Sequence, residues 1–305
     1  MRRRLPGWLT VIPILLVIPL LAACHPGTAE ARRLTGACDA GDTAACNALG
    51  VKLQKGEYVL RDHVRAAELF GLACNDGIGS GCARLGDAYQ RGRGVERDSA
   101  RAIVLFQQGC TRGGLDGCTQ LGMLHVAGAG VPADPVGAAV LFAQACEGGD
   151  LPGCAHLGAL VESGNGIPSD FTRAAALFRQ ACDGNVALGC IGLARLHATG
   201  NGVAQNDSLA AVLLEKTCDG AERSGCLELA LVLEAGRGIP QNFSRAWSLY
   251  REACEYRNGE ACFRLAQLYA RGAGVYRSEA QAKEFTRRAC AAGYQAACPP
   301  KEKTA

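Results

Sequence analysis

Aromatic residues are scarce in this chain of 305 residues: they make up 6%, with two Trp, and there are only two Met. A large aromatic core is excluded, so close packing has to come from small and aliphatic side chains. Neither sign of charge is in excess. The formal net charge is +3, and the removable segment carrying Arg2, Arg3 and Arg4 accounts for it, leaving a nearly neutral chain without the basic face that nucleic-acid binding requires. Long apolar runs are missing too. The stretch from Leu9 to Leu21 is shorter than the ~18 residues of a spanning helix and is interrupted by Pro13 and Pro19.

Catalytic signatures are also missing. There is no Ser-x-x-Lys, Ser-Asp-Asn or Lys-Thr-Gly, the set that serine β-lactamases and penicillin-binding enzymes use, and no Gly-x-Ser-x-Gly, His-Glu-x-x-His or Walker loop. The reading therefore assigns no catalytic residue, no cofactor and no metal. The 17 cysteines fit zinc poorly, since they lack Cys-x-x-Cys spacing and recurrent His partners.

What is present in abundance is glycine, with 40 copies, and cysteine. Sixteen cysteines form pairs eight residues apart, each pair 36 after the last: Cys38 and Cys46, Cys74 and Cys82, Cys110 and Cys118, Cys146 and Cys154, Cys182 and Cys190, Cys218 and Cys226, Cys254 and Cys262, Cys290 and Cys298. A period of this size means repeated helical pairs, each burying its apolar face against its neighbours, so the chain reads as one array and not two domains.

Within each period a first helix starts near the second Cys of a pair. Three residues later comes Leu (49, 85, 121, 157, 193, 229, 265), followed by Gly or Ala, the mark of a close helix seam. Gly56, Gly92, Gly128, Gly164, Gly200, Gly236 and Gly272 end these helices, and a second Gly follows two residues on in all repeats but the first, where Tyr58 stands. The second helices are capped by Asp62, Asp98, Asp134, Asp170, Asn206, Asn242 and Ser278. Asn206 and Asn242 head glycosylation sequons, but their cap positions give them a structural reading. His125 and His197 occupy the site of Tyr89 and Tyr269 in other repeats and read as packing rings.

Leu-Gly, aromatic, Gly-x-Gly-Val, acidic cap, Ala and aromatic over 36 residues resembles the Sel-one-like repeats, relatives of the tetratricopeptide repeat. The Cys pair in every repeat is similar to the secreted cysteine-rich Hcp proteins. The resemblance covers residues 28 to 298 and implies an all-α fold, a right-handed α/α superhelical solenoid of helix-turn-helix repeats with a concave face. It divides the chain into a signal peptide (1–23), a tether and N-terminal capping helix (24–43), seven repeats (44–295) and a C-terminal cap and tail (296–305). It also brings an alternative activity, β-lactam binding or β-lactamase-like hydrolysis.

Two disulfide patterns respect the repeat. Cysteines eight apart can join, or Cys46 can join Cys74 and so on within each hairpin. Loop entropy favours neither strongly, at about 2.6 kcal/mol for the nine-residue loop and about 1 kcal/mol more for the longer one. The local pattern uses all sixteen cysteines, whereas the hairpin pattern orphans Cys38 and Cys298. The local pattern is therefore expected, with each clip fastening a second helix to the next repeat's first helix. So many disulfides imply an oxidising compartment. The odd cysteine, Cys24, closes Leu21-Ala22-Ala23-Cys24, which resembles a bacterial lipobox after a basic and then apolar leader. The expectation is an exported lipoprotein on the periplasmic side of the outer membrane or at the cell surface, touching the membrane through its lipid only.

Comparison among the repeats exposes a second kind of position. Residues two, five and nine after the first-helix Cys share a face and drift while the seam repeats. Drift of this kind arises on a solvated face or in a binding groove. Because first helices line the concave surface of such solenoids, the candidate groove comprises Arg84, Asp87, Arg91, Gln120, Met123, His156, Arg195, Glu228, Leu231, Arg264, Gln267 and Arg271. The expected partner is a peptide, a protein or a cell-wall fragment, bound by a monomer.

Overall fold

The structure is a computed structural model that describes residues 26–218 and 225–299. The signal segment, the lipidation expected at Cys24 and residues 300–305 lie outside the described residues. Among the described residues there are fifteen α-helices and no strand. Helix α1 (Pro26–Asp39) opens the chain. Seven pairs follow: α2 (Thr43–Lys55) with α3 (His63–Asn75), α4 (Gly79–Arg91) with α5 (Ser99–Thr111), α6 (Leu115–Ala127) with α7 (Pro135–Glu147), and α8 (Leu151–Ser163) with α9 (Phe171–Asp183). The remainder are α10 (Ala187–Thr199) with α11 (Asp207–Cys218), α12 (Cys226–Ala235) with α13 (Phe243–Glu255), and α14 (Gly259–Arg271) with α15 (Glu279–Ala291), before a 3₁₀ turn at Gln295–Ala297.

The caps explain where these helices start and stop. Asp62, Asp98, Asp134, Asp170, Asn206, Asn242 and Ser278 each accept a hydrogen bond from the backbone N–H three residues on, which satisfies a free donor of the first turn. Most first helices begin three residues before the cysteine and not at it. Asp42, Asp150 and Asn258 show why: they cap α2, α8 and α14 from upstream and carry the Cys into the first turn. The terminal glycines of the first helices are left-handed, as at Gly92 (φ 65°) and Gly200 (φ 76°).

The contacts of the chain cluster into two compact units, residues 1–121 and 122–305, divided within α6. In the first unit Phe70 and Phe106 are buried, and a Cβ added at Gly50 or Gly86 would stand 2.7 or 2.8 Å from their rings. The small residue after each seam Leu is thus the socket for a ring on the paired helix. Tyr58 has φ 61° in the place of the second turn glycine. In the next repeat that glycine, Gly94, is forced, because a Cβ there would overlap the His63 carbonyl at the start of α3. At Tyr58 the requirement is transferred: the facing residue, at the start of α1, is Gly27, whose own Cβ would overlap the Tyr58 ring.

In the second unit Phe142 and Phe178 fill the sockets at Gly122 and Gly158 in the same way. Beyond them the seam residue becomes Ala194, Ala230 and Ala266, and the partner register holds Leu214, Tyr250 and Thr286. Socket and filler change together. Burying one such Phe or Leu side chain contributes about 1.5–3 kcal/mol, which makes these layers the main source of cohesion.

Eight disulfides join cysteines eight apart, from Cys38–Cys46 through Cys290–Cys298, with Cα separations between 4.4 and 4.8 Å. The local connectivity is the one present: the clips from Cys38–Cys46 through Cys254–Cys262 tie the end of one helix to the start of the next repeat's first helix, and Cys290–Cys298 ties α15 to the end of the 3₁₀ turn. Arg112, Lys216 and Arg288 reinforce three junctions by donating to the carbonyls of Cys74, Cys182 and Cys254. These are carbonyls at helix C-termini, where a cation is favoured.

A polar face on the first helices

The first-helix face behaves differently in the two units. In the first, α2, α4 and α6 together line a cavity of about 140 Å³, formed by Gln54, Ala83, Arg84, Asp87, Asp116 and Gln120. Arg84, Asp87 and Gln120 are brought together as the drifting stripe predicts. All three are half-buried. Among the described residues Arg84 forms no ion pair, and its Nε is buried without a hydrogen-bond partner. Asp87 accepts from Arg91 one turn on, while Asp116 accepts from the Gly117 amide at 3.1 Å.

Gln54 and Asp116 were absent from the stripe. They stand eight residues after and two residues before their cysteines, whereas the pattern counted positions two, five and nine. A 3.6-residue period places position eight beside position five, so the signal was available in the helical geometry.

In the second unit the same face closes on itself. Arg195 on α10 donates to Glu162 on α8 through two nitrogens, with Nε to Oε1 at 2.8 Å. That hydrogen bond raises the Arg195 pKa, with Glu228 adding a smaller favourable charge. Arg271 reaches Glu234 on the preceding first helix, and the Tyr250 hydroxyl donates to the same carboxylate at 2.8 Å. Burial, and then the bond to Glu234, hold the Tyr250 hydroxyl protonated well above the ordinary tyrosine range. Arg264 pairs with Glu260 within α14, although its Nε is buried without a partner. Glu228 and Met123 are exposed, while Leu231 and Gln267 are half-buried.

The histidines are held by structure. His156 stacks on Phe142, with ring centroids 5.2 Å apart and 21° between planes. Burial lowers its pKa, against an opposing contribution from Asp150. The Nδ1 atoms of His125 and His197 contact the loop carbonyls of Pro132 and Ala204 at 3.2 and 3.0 Å. Among the described residues no group of three or more His, Cys, Asp or Glu is placed to hold a metal ion, and no helix is long and apolar enough to cross a membrane.

The Sel1 repeat model matches seven consecutive segments, residues 43–78, 79–114, 115–150, 151–186, 187–221, 223–255 and 259–294. No curated protein matches the sequence. Among solved structures, c5321, a protective antigen of uropathogenic Escherichia coli displaying an SLR fold, is similar at 25% identity and a TM-score of 0.62, over 88% of this chain and 57% of the antigen. The chain therefore spans a little over half the length of that relative. A Sel1 repeat protein from Oxalobacter formigenes aligns at 21% identity and a TM-score of 0.61, over 88% of this chain and 77% of its own. Helicobacter pylori cysteine rich protein B aligns at 25% identity over 44% of this chain and 99% of its own, with a TM-score of 0.36.

Proposed function

The chain belongs to the Sel1 repeat family, whose repeats mediate protein–protein interactions, and from that premise we propose that it is a non-enzymatic scaffold binding a peptide or protein partner on its first-helix face. The observation that carries this reading is the cavity of the first unit. Gln54, Arg84 and Gln120 come from three successive first helices, are half-buried, and form no hydrogen bond or ion pair among the described residues. Buried polar atoms are ordinarily paired, so the unsatisfied Nε of Arg84, beside two carboxamides facing the same hollow, suits an incoming partner. A fragment of cell wall presents similar polar groups and belongs to the same reading.

The disulfides fit an oxidising, extracytoplasmic compartment. Export with lipid attachment at Cys24 is part of the proposal and rests on the leader and the lipobox-like ending; mass spectrometry of the mature N-terminus tests it, and an unmodified Cys24 contradicts it. Binding is favoured over β-lactam hydrolysis because His125, His156 and His197 are engaged with carbonyls or a ring. Nitrocefin turnover by the purified, disulfide-intact protein would overturn the scaffold reading. The direct test replaces Arg84, Arg195 and Glu228 together by Ala and compares capture of partners from an envelope extract. Loss of capture with folding retained is expected, and unchanged capture removes the first-helix face from the function.

A further inference from the structure

The junction between α13 and α14 departs from the repeat at two positions, and both departures line one hollow. Arg257 lies just beyond α13 with φ 63°, a left-handed backbone that strains a long L side chain. Gly41, Gly77, Gly113, Gly149 and Gly293 hold the equivalent position, all left-handed, and so does Asn185, a residue type that tolerates this conformation. An arginine here answers no requirement of the turn. Its side chain is exposed and makes no hydrogen bond or ion pair among the described residues. The second departure is Arg288 on α15, where earlier repeats place Leu72, Gln108, Gln144, Gln180, Lys216 and Glu252. Together with Cys254, Cys262, Ala291 and Ala292, the two arginines line a cavity of about 150 Å³. At the matching junction of the first unit Arg112 covers the disulfide, 3.5 Å from the Cys82 Sγ. Ala292 stands in that place here, and the hollow stays open.

The lining divides by chemistry. Two guanidiniums stand on it, and among the described residues no carboxylate does. Glu260 and Glu284 are taken up by Arg264 and Arg287. Arg288 is held in place, since its Nη2 donates to the Cys254 carbonyl at 3.4 Å and its guanidinium lies over the Phe285 ring, 5.1 Å from the centroid. Its other N–H groups have no acceptor among the described residues. The carbonyl end of α13 accounts for one cation beside it, but not for a second on a strained backbone. The remaining wall, a disulfide and two alanine methyl groups, is apolar. Phosphate is hydrated on every side and would lose water against that wall without a donor to replace it. A carboxylate presents its two oxygens at one end, where they match a guanidinium fork, and carries an apolar stem behind them.

We propose that this hollow binds a carboxylate on a short apolar stem, its oxygens between Arg257 and Arg288 and its stem against Ala291, Ala292 and the Cys254–Cys262 disulfide. The site is separate from the first-helix face and stands or falls independently of the scaffold reading. A free short-chain acid and the C-terminus of a peptide ending in a small apolar residue present the same chemistry. The test titrates the full, disulfide-intact chain with butyrate, with N-acetyl-Gly-Ala bearing a free C-terminus, with the same dipeptide as its amide, and with inorganic phosphate, following the Ala291 and Ala292 methyl and Arg288 Nε–H signals by NMR. Butyrate, the acid dipeptide or both should give saturable shifts, and the tighter of the two names the source. Arg257→Gly and Arg288→Gln restore residues found at other junctions, and each should weaken binding about tenfold, as loss of a charge-assisted hydrogen bond does. Arg257→Gly should leave the melting temperature unchanged or higher, because relief of the left-handed arginine offsets the greater chain entropy of glycine. Equal binding of the amide and the acid, shifts from phosphate alone, or binding unchanged in both variants overturns the carboxylate site. No response to any probe overturns it as well, and a lower melting temperature for Arg257→Gly would then identify Arg257 as a fastener of the junction.

Discussion

The two compact units are built from the same repeat, yet they pair the charges on the polar stripe of their first helices differently. In residues 122–305, two cations at that face are matched by acids one repeat earlier, Arg195 by Glu162 and Arg271 by Glu234, while Arg264 pairs with Glu260 within its own helix and keeps a buried, unpartnered Nε. In residues 1–121, Arg84 faces a cavity without an ion pair and with a buried, unsatisfied Nε. A cross-repeat ion pair joins neighbours and leaves less for a ligand to satisfy. An unpaired guanidinium costs stability in the free protein and recovers it on binding. The difference teaches that the drifting positions are not one uniform surface: part of them fastens the array, and at Arg84 no ion pair among the described residues does so.

The disulfide clips are common to both units and set the baseline of that comparison. Replacing Cys74 and Cys82 by Ala in the first unit, or Cys182 and Cys190 in the second, should each cost about 2.6 kcal/mol by loop-closure entropy. Denaturant unfolding measures this, and a much smaller loss in one unit alone would show that its junctions are held by something else. The seam comes next. Gly86→Ala sets a Cβ 2.8 Å from the Phe106 ring and should destabilise by about 1–3 kcal/mol, the usual cost of overpacking. The double change with Phe106→Leu copies the Ala194 and Leu214 combination of the second unit and should recover much of that loss.

These seams also mark how far the sequence could be read. The repeat, the cap residues and the obligatory small residue beside each Leu were legible, because each is a local choice repeated at a fixed register. The exchange between socket and filler was not, since Gly50 and Phe70 acquire their meaning only as a pair twenty residues apart. The same holds for Tyr58, whose tolerance depends on Gly27 in another helix. The stripe pattern groups Arg84, Asp87 and Gln120, which line one cavity, but passes over Gln54 and Asp116 beside them because its spacing is too strict. The opposite fates of Arg84 and Arg195 depend on which acid lies across the junction, and no single helix carries that information. Nothing in an unbroken period signals a division within α6.

Smaller effects sharpen the contrast between the two arginines. Arg195→Met removes the partner of a mostly buried Glu162 carboxylate and should cost about 1 kcal/mol or somewhat more. Arg84→Met removes a buried donor without a partner and should leave stability unchanged or slightly higher. Thermal unfolding of the two variants side by side tests the assignment, and a larger loss at Arg84 would mean that it too is a fastener.

The smallest effect concerns His156. Its pKa is lowered by burial from the ordinary 6.5, so the unfolded chain takes up the proton first as pH falls. The stability linked to His156 is therefore fully present above pH 6.5 and is lost as pH drops toward the depressed value. His156→Phe should flatten that part of the pH profile while keeping the stack on Phe142. An unaltered profile would place the proton uptake elsewhere.

The central claim is that the open polar face of the first unit is where a partner binds. Hydrogen–deuterium exchange of the full, disulfide-intact chain, with and without its captured partner, tests it most directly. The account predicts protection concentrated in α4 and in the part of α6 before residue 122. Protection confined to α8 and α10, where Glu162 and Arg195 are already paired, would contradict it.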